Sequence, residues 1–439
     1  MRFGLQAIAG SLALITALPA VGEAPYETPP SFKSGQLLPA NLLKGEDYEL
    51  RDEVRTEGYF HEFQIQSDFG SFTAEGRSML YVRLREVAAL AALDEVSKTE
   101  VFVKAAGTSV LNLGKSVGRA VTDPEGTVKG IGGGLKRFGI NLGRKTKRAA
   151  RSVADSVKGD AKEESEPERS TGQKVGEGSA SVARSVLGVT GASRRWAQKL
   201  GVDPYSSNPV LRRALEDVGK ADAAGGIATR IVLPVPMLVG TTATVSNLVW
   251  GNDPEELRKI NEQRVAEIGV DKEIASAFFG SKAFTLTHQT RFVAALFAVR
   301  AKGLADYVDV AREAEDESEA EFFSESAEML ATLHERSPVS AVLTDSQTLV
   351  ARVGGARAVA LLPLDWVRLT EASQKAFRDL ADRARKDLSA RKLEIQLTGR
   401  MSPPALKEAT GLGWKVKEGV PGPVKPPEPD RARGNKERG

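Results

Sequence analysis

A serine between two glycines is the first place in the chain where residue types and spacing suggest a reaction. The segment Gly114–Gly118 reads GKSVG and matches the G-x-S-x-G pattern, which in hydrolases places a nucleophilic serine on a strained turn between a strand and a helix. That turn requires a buried strand before it, whereas this serine lies in a glycine-spaced stretch that leads into basic sequence. Ser116 is therefore a catalytic candidate under one alternative only, an envelope serine hydrolase with His288 or His334 as base.

The composition gives little support to metal or nucleotide chemistry. The chain has no cysteine and three histidines. Neither His61 nor His334, each followed by glutamate, has the second histidine of an H-E-x-x-H zinc site. A P-loop would need glycine at the position of Ser109. We therefore predict no metal and no cofactor, with His61 as a core residue of a strand and His288 as a helix cap.

Positive charge is concentrated in one glycine-rich segment. Residues 101–158 hold twelve Lys or Arg and three acids, a local net charge of +9 in a chain whose total is +3. Valine recurs every seven residues from Val96 to Val117, but glycines interrupt this pattern, and each costs a helix roughly 1 kcal/mol relative to alanine. A helix here therefore needs a supporting surface. The side chains predicted to contact a membrane surface are Lys129, Lys136, Arg137, Phe138, Arg144, Lys145, Lys147, Arg148 and Arg151.

This basic segment admits three interpretations, of which nucleic acid binding has the least support. Phe138 is the only aromatic residue between Val103 and Leu187, so stacking platforms for bases are missing. An anionic membrane surface fits the apolar residues interleaved with Lys and Arg, each of which contributes roughly 1 kcal/mol near acidic headgroups. Another envelope protein is the second possible partner, and a flexible linker between domains is the third interpretation.

The first residues predict the compartment. Met1-Arg2 gives a positive start, and Phe3–Leu18 is an uncharged, mostly apolar stretch of signal-peptide length that is short for a membrane span. Small residues make Ala20 and Ala24 possible cleavage sites, of which Ala24 is preferred; an uncleaved anchor is the alternative. The sequence thus predicts export to the periplasm or cell envelope, and the absence of cysteine fits a bacterial envelope.

Periodicity along the rest of the chain predicts more helix than strand. Residues 59–66 alternate like a strand, a short return strand ends at Glu75, and residues 77–96 have helical spacing. Asp253-Pro254 begins a helix by capping. Further predicted helices cover 272–279, 289–302 and 318–334. Near the C-terminus a two-residue Gly354-Gly355 turn predicts a hairpin of 348–353 with 356–362, followed by helix 370–391, strand 393–397, a short helix from Ser402 and strand 414–416.

We therefore predict a mainly α protein with a small α+β N-terminal region and a small C-terminal α/β (ββαβαβ) unit. The expected order is a signal peptide (1–24), a Pro-rich lead-in (25–40), the α+β region (41–100), a Gly-rich basic amphipathic segment and disordered linker (101–200), a helical domain (204–336), the α/β domain (337–420) and a disordered tail (421–439).

Two further stretches have simple interpretations. Residues 313–328 hold eight acids and no base, and we expect them in the first turn and on the solvated face of a helix, where the dipole favours negative charge. Residues 231–250 carry no charge over the length of a membrane span. Two prolines and several polar residues there instead favour a buried helix or loop.

The function predicted from these observations is non-enzymatic, because no nucleophile or acid–base pair is supported by its surroundings. The protein is expected to be exported, associated with the cell envelope and bound to an anionic membrane surface through the basic segment. The alternatives are a serine hydrolase that uses Ser116 and a carrier of an apolar ligand near residues 231–250.

Overall fold

The described part of the chain combines two five-stranded β-sheets with a group of helices. The computed structural model describes residues 26–100, 102–103, 190–225, 241–345 and 347–427. The N-terminal elements are β1 (Ser31–Lys33), α1 (Ser34–Leu37), a 3-10 turn (Ala40–Leu42), β2 (Tyr48–Leu50), β3 (Glu53–Arg55), β4 (Glu62–Ser67), β5 (Gly70–Glu75) and α2 (Arg77–Ser97).

The N-terminal sheet is antiparallel and centred on β4. This strand pairs with β5 along one edge and with β2 and β3 along the other, and β1 extends the sheet beyond β3. Phe63 and Ile65 alternate with partly exposed polar residues and share a hydrophobic cluster with Leu80 and Leu84 of α2, as expected for a sheet with one buried face. The predicted strand pair and helix are confirmed, with β4 beginning at Glu62.

Helices make up most of the described residues between 190 and 336. They are α3 (Gly191–Leu200), α4 (Pro209–Gly225), α5 (Ala243–Gly251), α6 (Pro254–Ile268), α7 (Lys272–Phe279), α8 (Leu286–Val299), α9 (Leu304–Ala311) and α10 (Glu317–Arg336). The predicted cap at Asp253 is confirmed, because its side chain accepts hydrogen bonds from the backbone N–H groups of Glu255 (3.0 Å) and Glu256 (2.9 Å). The helices predicted over 272–279, 289–302 and 318–334 correspond to α7, α8 and α10.

The C-terminal sheet combines antiparallel and parallel pairing. Its elements are β6 (Val339–Asp345), β7 (Thr348–Val353), β8 (Arg357–Leu362), β9 (Trp366–Val367), α11 (Glu371–Asp387), β10 (Lys392–Leu397), β11 (Arg400–Met401), α12 (Pro403–Gly411) and β12 (Trp414–Lys417). The strand order is β12-β10-β8-β7-β6, with β6, β7 and β8 antiparallel and β8, β10 and β12 parallel.

The predicted hairpin of β7 with β8 is confirmed, but its turn is one residue longer than expected. Val353 pairs with Arg357, so three residues connect the strands. Gly355 (φ 72°) and Ala356 (φ 53°) both have left-handed backbone conformations, while Gly354 does not. The two positive φ angles of the turn therefore belong to Gly355 and Ala356, and not to Gly354 and Gly355 as expected.

The prediction of a mainly α fold is wrong. Two five-stranded sheets and a two-stranded one are present among the described residues, so the protein is a mixed α/β molecule. Strands β1, β2 and β3 have three residues each, which is too few for an alternating pattern to be read. β6 was also not predicted, because it follows the long helix α10 with only two residues between them.

Helices α6 to α10 and the C-terminal sheet share one core. A single hydrophobic cluster includes Phe292 of α8, Phe323 of α10, Val350 of β7 and Leu380 of α11. In the parts of the chain that the structure describes, no helix is both long and apolar enough to cross a membrane. Residues 231–240 lie outside those parts, while the end of the uncharged stretch forms α5.

Candidate functional site

The side chains predicted to act in catalysis or membrane binding lie outside the described residues. This holds for Ser116 and for Lys129, Lys136, Arg137, Phe138, Arg144, Lys145, Lys147, Arg148 and Arg151. The structure does describe the residues that flank them. Phe102, on one side, is buried in the same hydrophobic cluster as Trp196 of α3 on the other. The described residues on either side of the basic segment therefore pack in one cluster.

The three histidines are all engaged in local contacts. His61 is 3% exposed, with Nδ1 at 2.7 Å from Thr56 Oγ1, which confirms a core residue. His288 Nδ1 lies 3.1 Å from Thr285 Oγ1 in a capping box at the start of α8, as predicted. His334 Nδ1 accepts the backbone N–H of Val339 at 3.1 Å. Of these, His288 also lines a cavity.

A buried ion pair on α2 holds the loop between α3 and α4. Arg83 Nη1 lies 2.9 Å from Glu86 Oε2, and Arg83 Nη2 reaches Glu317 Oε2 of α10 at 2.8 Å. Glu86 also accepts hydrogen bonds from Ser206 Oγ (2.5 Å) and Asn208 Nδ2 (2.9 Å). Because these groups are buried, where hydrogen bonds are electrostatically stronger than in water, the contacts fix the loop against α2.

A second buried ion pair joins α8 to α10. Arg291 Nη1 lies 2.6 Å from Glu321 Oε2, and Arg291 Nη2 lies 2.9 Å from Glu328 Oε2. His288 Nε2 approaches Glu321 Oε2 at 3.0 Å. Burial favours the neutral acid, but Arg291 and His288 outweigh it and hold the pKa of Glu321 well below its usual range. Burial and the nearby Glu321 carboxylate raise the pKa of Glu325 instead.

The expectation that the acidic residues of α10 lie on a solvated helix face is therefore wrong. Glu317 and Glu319 do occupy the first turn of α10, but Glu321, Glu325 and Glu328 are buried. Their spacing of four and three residues places them on one helical face, which was the available sequence signal. The guanidinium that faces this side belongs to a residue 30 positions before Glu321, and nothing in the sequence pairs the two.

These two networks enclose a cavity of about 50 Å³ between α2, the loop after α3, α8 and α10. Its lining includes Arg83, Glu86, Asp203, Ser206, His288 and Glu321. Each water molecule needs roughly 10–15 Å³, so this volume holds a few water molecules or one small polar group. The cavity is the candidate functional site.

Asp203 differs from the other carboxylates of the cavity. Its Oδ1 accepts hydrogen bonds from Thr287 Oγ1 (2.6 Å) and from the backbone N–H of Tyr205 (2.8 Å). Burial raises the pKa of Asp203 to about 6, although these hydrogen bonds oppose the change. Glu86 and Glu321 have arginine partners, whereas no ion pair to Asp203 occurs within the described residues.

Metal binding has no support in the described ranges, where no group of three or more His, Asp or Glu side chains is arranged around a common point. Comparison with known proteins adds no assignment. No protein-family model, curated protein or solved structure matches the chain. The interpretation of the cavity and of the basic segment therefore rests on their own chemistry.

Proposed function

We propose that the protein is an exported, non-enzymatic component of the cell envelope that binds an anionic membrane surface through residues 101–158. The net charge of +9 on this segment is the observation that carries the proposal. Each Lys or Arg near an acidic surface contributes roughly 1 kcal/mol, and the attraction acts over about one Debye length. Even partial engagement of the twelve basic residues is therefore enough for binding at low salt.

The packing of the flanking residues supports a tether over a linker. Phe102 and Trp196 are buried in one cluster, together with Leu90 of α2 and Leu215 of α4. A linker between separate domains would end in two different cores, whereas the described residues on either side of 104–189, Phe102 and Trp196, lie in the same one. A basic segment with both flanks in one core attaches the body of the protein to a surface at one place.

The structure gives less support to the two alternative functions, a carrier of an apolar ligand and a serine hydrolase. Seven of the fifteen residues that line the described cavity are charged, which does not suit an apolar ligand. Helix α5, the described part of the uncharged stretch, packs its Val249 and Trp250 against Tyr205 and Leu257. A hydrolase would need His288 or His334 as base. Both ring nitrogens of His288 already have partners at Thr285 and Glu321, and Nδ1 of His334 accepts the backbone N–H of Val339.

Co-sedimentation of the full chain with vesicles tests the proposal. The protein should bind vesicles of mixed neutral and anionic phospholipid, should not bind neutral vesicles, and should dissociate at high salt. A variant with glutamine in place of six basic residues should no longer bind the anionic vesicles. The replaced residues are Lys136, Arg137, Arg144, Lys145, Lys147 and Arg148.

A control variant removes the same number of positive charges from exposed sites on the described body. It carries glutamine at Lys259, Lys272, Lys282, Arg378, Lys386 and Lys407. This variant should keep most of the binding, because only local charge near the membrane matters. Equal binding by the two variants would overturn the proposal.

A further inference from the structure

Formal charge is unevenly distributed over the described part of the chain. Residues 337–427, which form the C-terminal sheet and its helices, hold 15 Lys or Arg and 9 Asp or Glu, a net charge of +6. Residues 26–100 hold 8 basic and 14 acidic side chains, and residues 241–336 hold 10 and 18, so their net charges are −6 and −8. An anionic surface therefore attracts the C-terminal unit and repels these two parts of the chain.

The outer strands of the C-terminal sheet, β10 and β12, turn one face toward the helices. Leu393 lies opposite Trp414 in this parallel pair, and both side chains are buried. The indole N–H of Trp414 donates to the carbonyl oxygen of Phe377 in α11 at 3.0 Å, so α11 packs on this side. Because side chains alternate along a strand, Lys392 and Lys415 lie on the opposite face.

That opposite face is basic. Lys392 of β10 and both Lys415 and Lys417 of β12 are exposed, and Arg357 of β8 lies beside Lys392. The acid between them, Glu394, is 4% exposed and already has two partners, Lys417 Nζ at 2.9 Å and Arg357 Nη1 at 3.2 Å. Four cations thus face one neutralised carboxylate. We call these four residues the basic sheet face.

We propose that the basic sheet face is a second contact with the anionic phospholipid surface, so that the bound protein rests on β10 and β12. This inference depends on the membrane binding proposed for residues 101–158 and adds the orientation of the body to it. Ammonium groups side by side on an exposed pair of strands can approach acidic headgroups together, and each adds to the attraction. Helices α11 and α12 then point away from the membrane.

Co-sedimentation of the full chain with vesicles of mixed neutral and anionic phospholipid measures the contribution of this face. One lysine near the headgroups changes binding roughly fivefold. The double variant Lys392→Gln/Lys415→Gln should therefore bind at least about tenfold more weakly than the wild type. The matched control is Lys259→Gln/Lys272→Gln, which removes two exposed lysines from the acidic part of the chain and should bind within about twofold of the wild type.

Equal binding by the two double variants would overturn the proposal. Lysines on an edge strand also discourage its pairing with another chain, and equal binding would leave them only that role.

Fluorescence quenching measures the orientation itself, because the chain has no cysteine and accepts a single labelled one. Lys415→Cys places the label on the basic sheet face. Lys407→Cys, also at an exposed lysine, places it on α12. This helix lies beside α11, with Gln374 Nε2 donating to Glu408 Oε1 at 3.0 Å, and so covers the other face of the sheet.

Nitroxide groups on the lipid headgroups should quench the label at position 415 more strongly than the label at position 407. Equal quenching in vesicle-bound protein would overturn this orientation and leave the binding by residues 101–158 standing. A wild-type protein that does not sediment with anionic vesicles would overturn both proposals.

Discussion

Replacing Glu75 with glutamine should stabilise the protein above neutral pH. Glu75 ends β5, is 6% exposed, and accepts a hydrogen bond from Ser318 Oγ of α10 at 2.5 Å. Burial raises the pKa of Glu75 to about 7; the nearby carboxylates of Asp316, Glu62 and Glu317 add to this, while the bond from Ser318 opposes it. Above pH 7 the folded protein thus holds a buried negative charge among other acids.

The sign and size of the effect follow from proton linkage. Between pH 4.5 and about 7 the folded state keeps a proton on Glu75 that the unfolded chain has released. The free energy of unfolding is therefore highest below pH 4.5 and falls as the pH rises through 7. At about 1.4 kcal/mol for each pKa unit, the full loss is roughly 3 kcal/mol. Relaxation and hydration around the charge reduce the value we expect to measure to about 1–2 kcal/mol.

Urea unfolding at pH 5 and pH 8.5, followed by circular dichroism, measures the difference. Glutamine keeps the size of the side chain and an acceptor for Ser318 but cannot ionise. The wild type should lose about 1–2 kcal/mol more than Glu75→Gln between the two pH values. Glu262→Gln, on the exposed side of α6, is the control and should behave like the wild type. An equal loss in wild type and Glu75→Gln would refute the reasoning.

Two other substitutions test the packing around the site. Arg291→Met should lower the free energy of unfolding at neutral pH by about 3–5 kcal/mol, because two buried carboxylates lose their counter-charge; a loss below about 1 kcal/mol in urea unfolding would contradict this. Gly399→Ala should cost more than about 2 kcal/mol in the same assay, since the added Cβ would overlap the carbonyl oxygen of Asp365. Gly354→Ala, whose Cβ would meet nothing within 4 Å, is its control, and equal stability of the two variants would rule the overlap out.

Local signals in the sequence predicted most of the longer elements. Alternation identified β4 with β5, helical spacing identified α2, and the cap at Asp253 identified the start of α6. These features depend on residues within a few positions of one another, so a single sequence contains them. The three-residue strands carry no such local signal. Neither does α3 (Gly191–Leu200), whose Trp196 is fully buried although it lies in a stretch expected to be a linker.

The candidate site was not predictable in the same way. The predicted role of His288 as a helix cap is confirmed, whereas the acids of α10 do not form the solvated face that their charge predicts. Asp203 carried no signal, because an aspartate followed by proline is typical of any loop. What distinguishes it is the set of neighbours from α2, α8 and α10, and these come together only in the folded chain.

The sequence alone determined the charge of the basic segment, the helix caps and the faces of the regular elements, because each depends on residue type and short-range spacing. Tertiary structure decided which polar residues are buried. Arg83 and Glu317 are 234 positions apart and still form an ion pair. A buried charge is stable only beside its partner. Hydrophobic periodicity shows which face of a helix turns inward, but not which distant charge it will meet there.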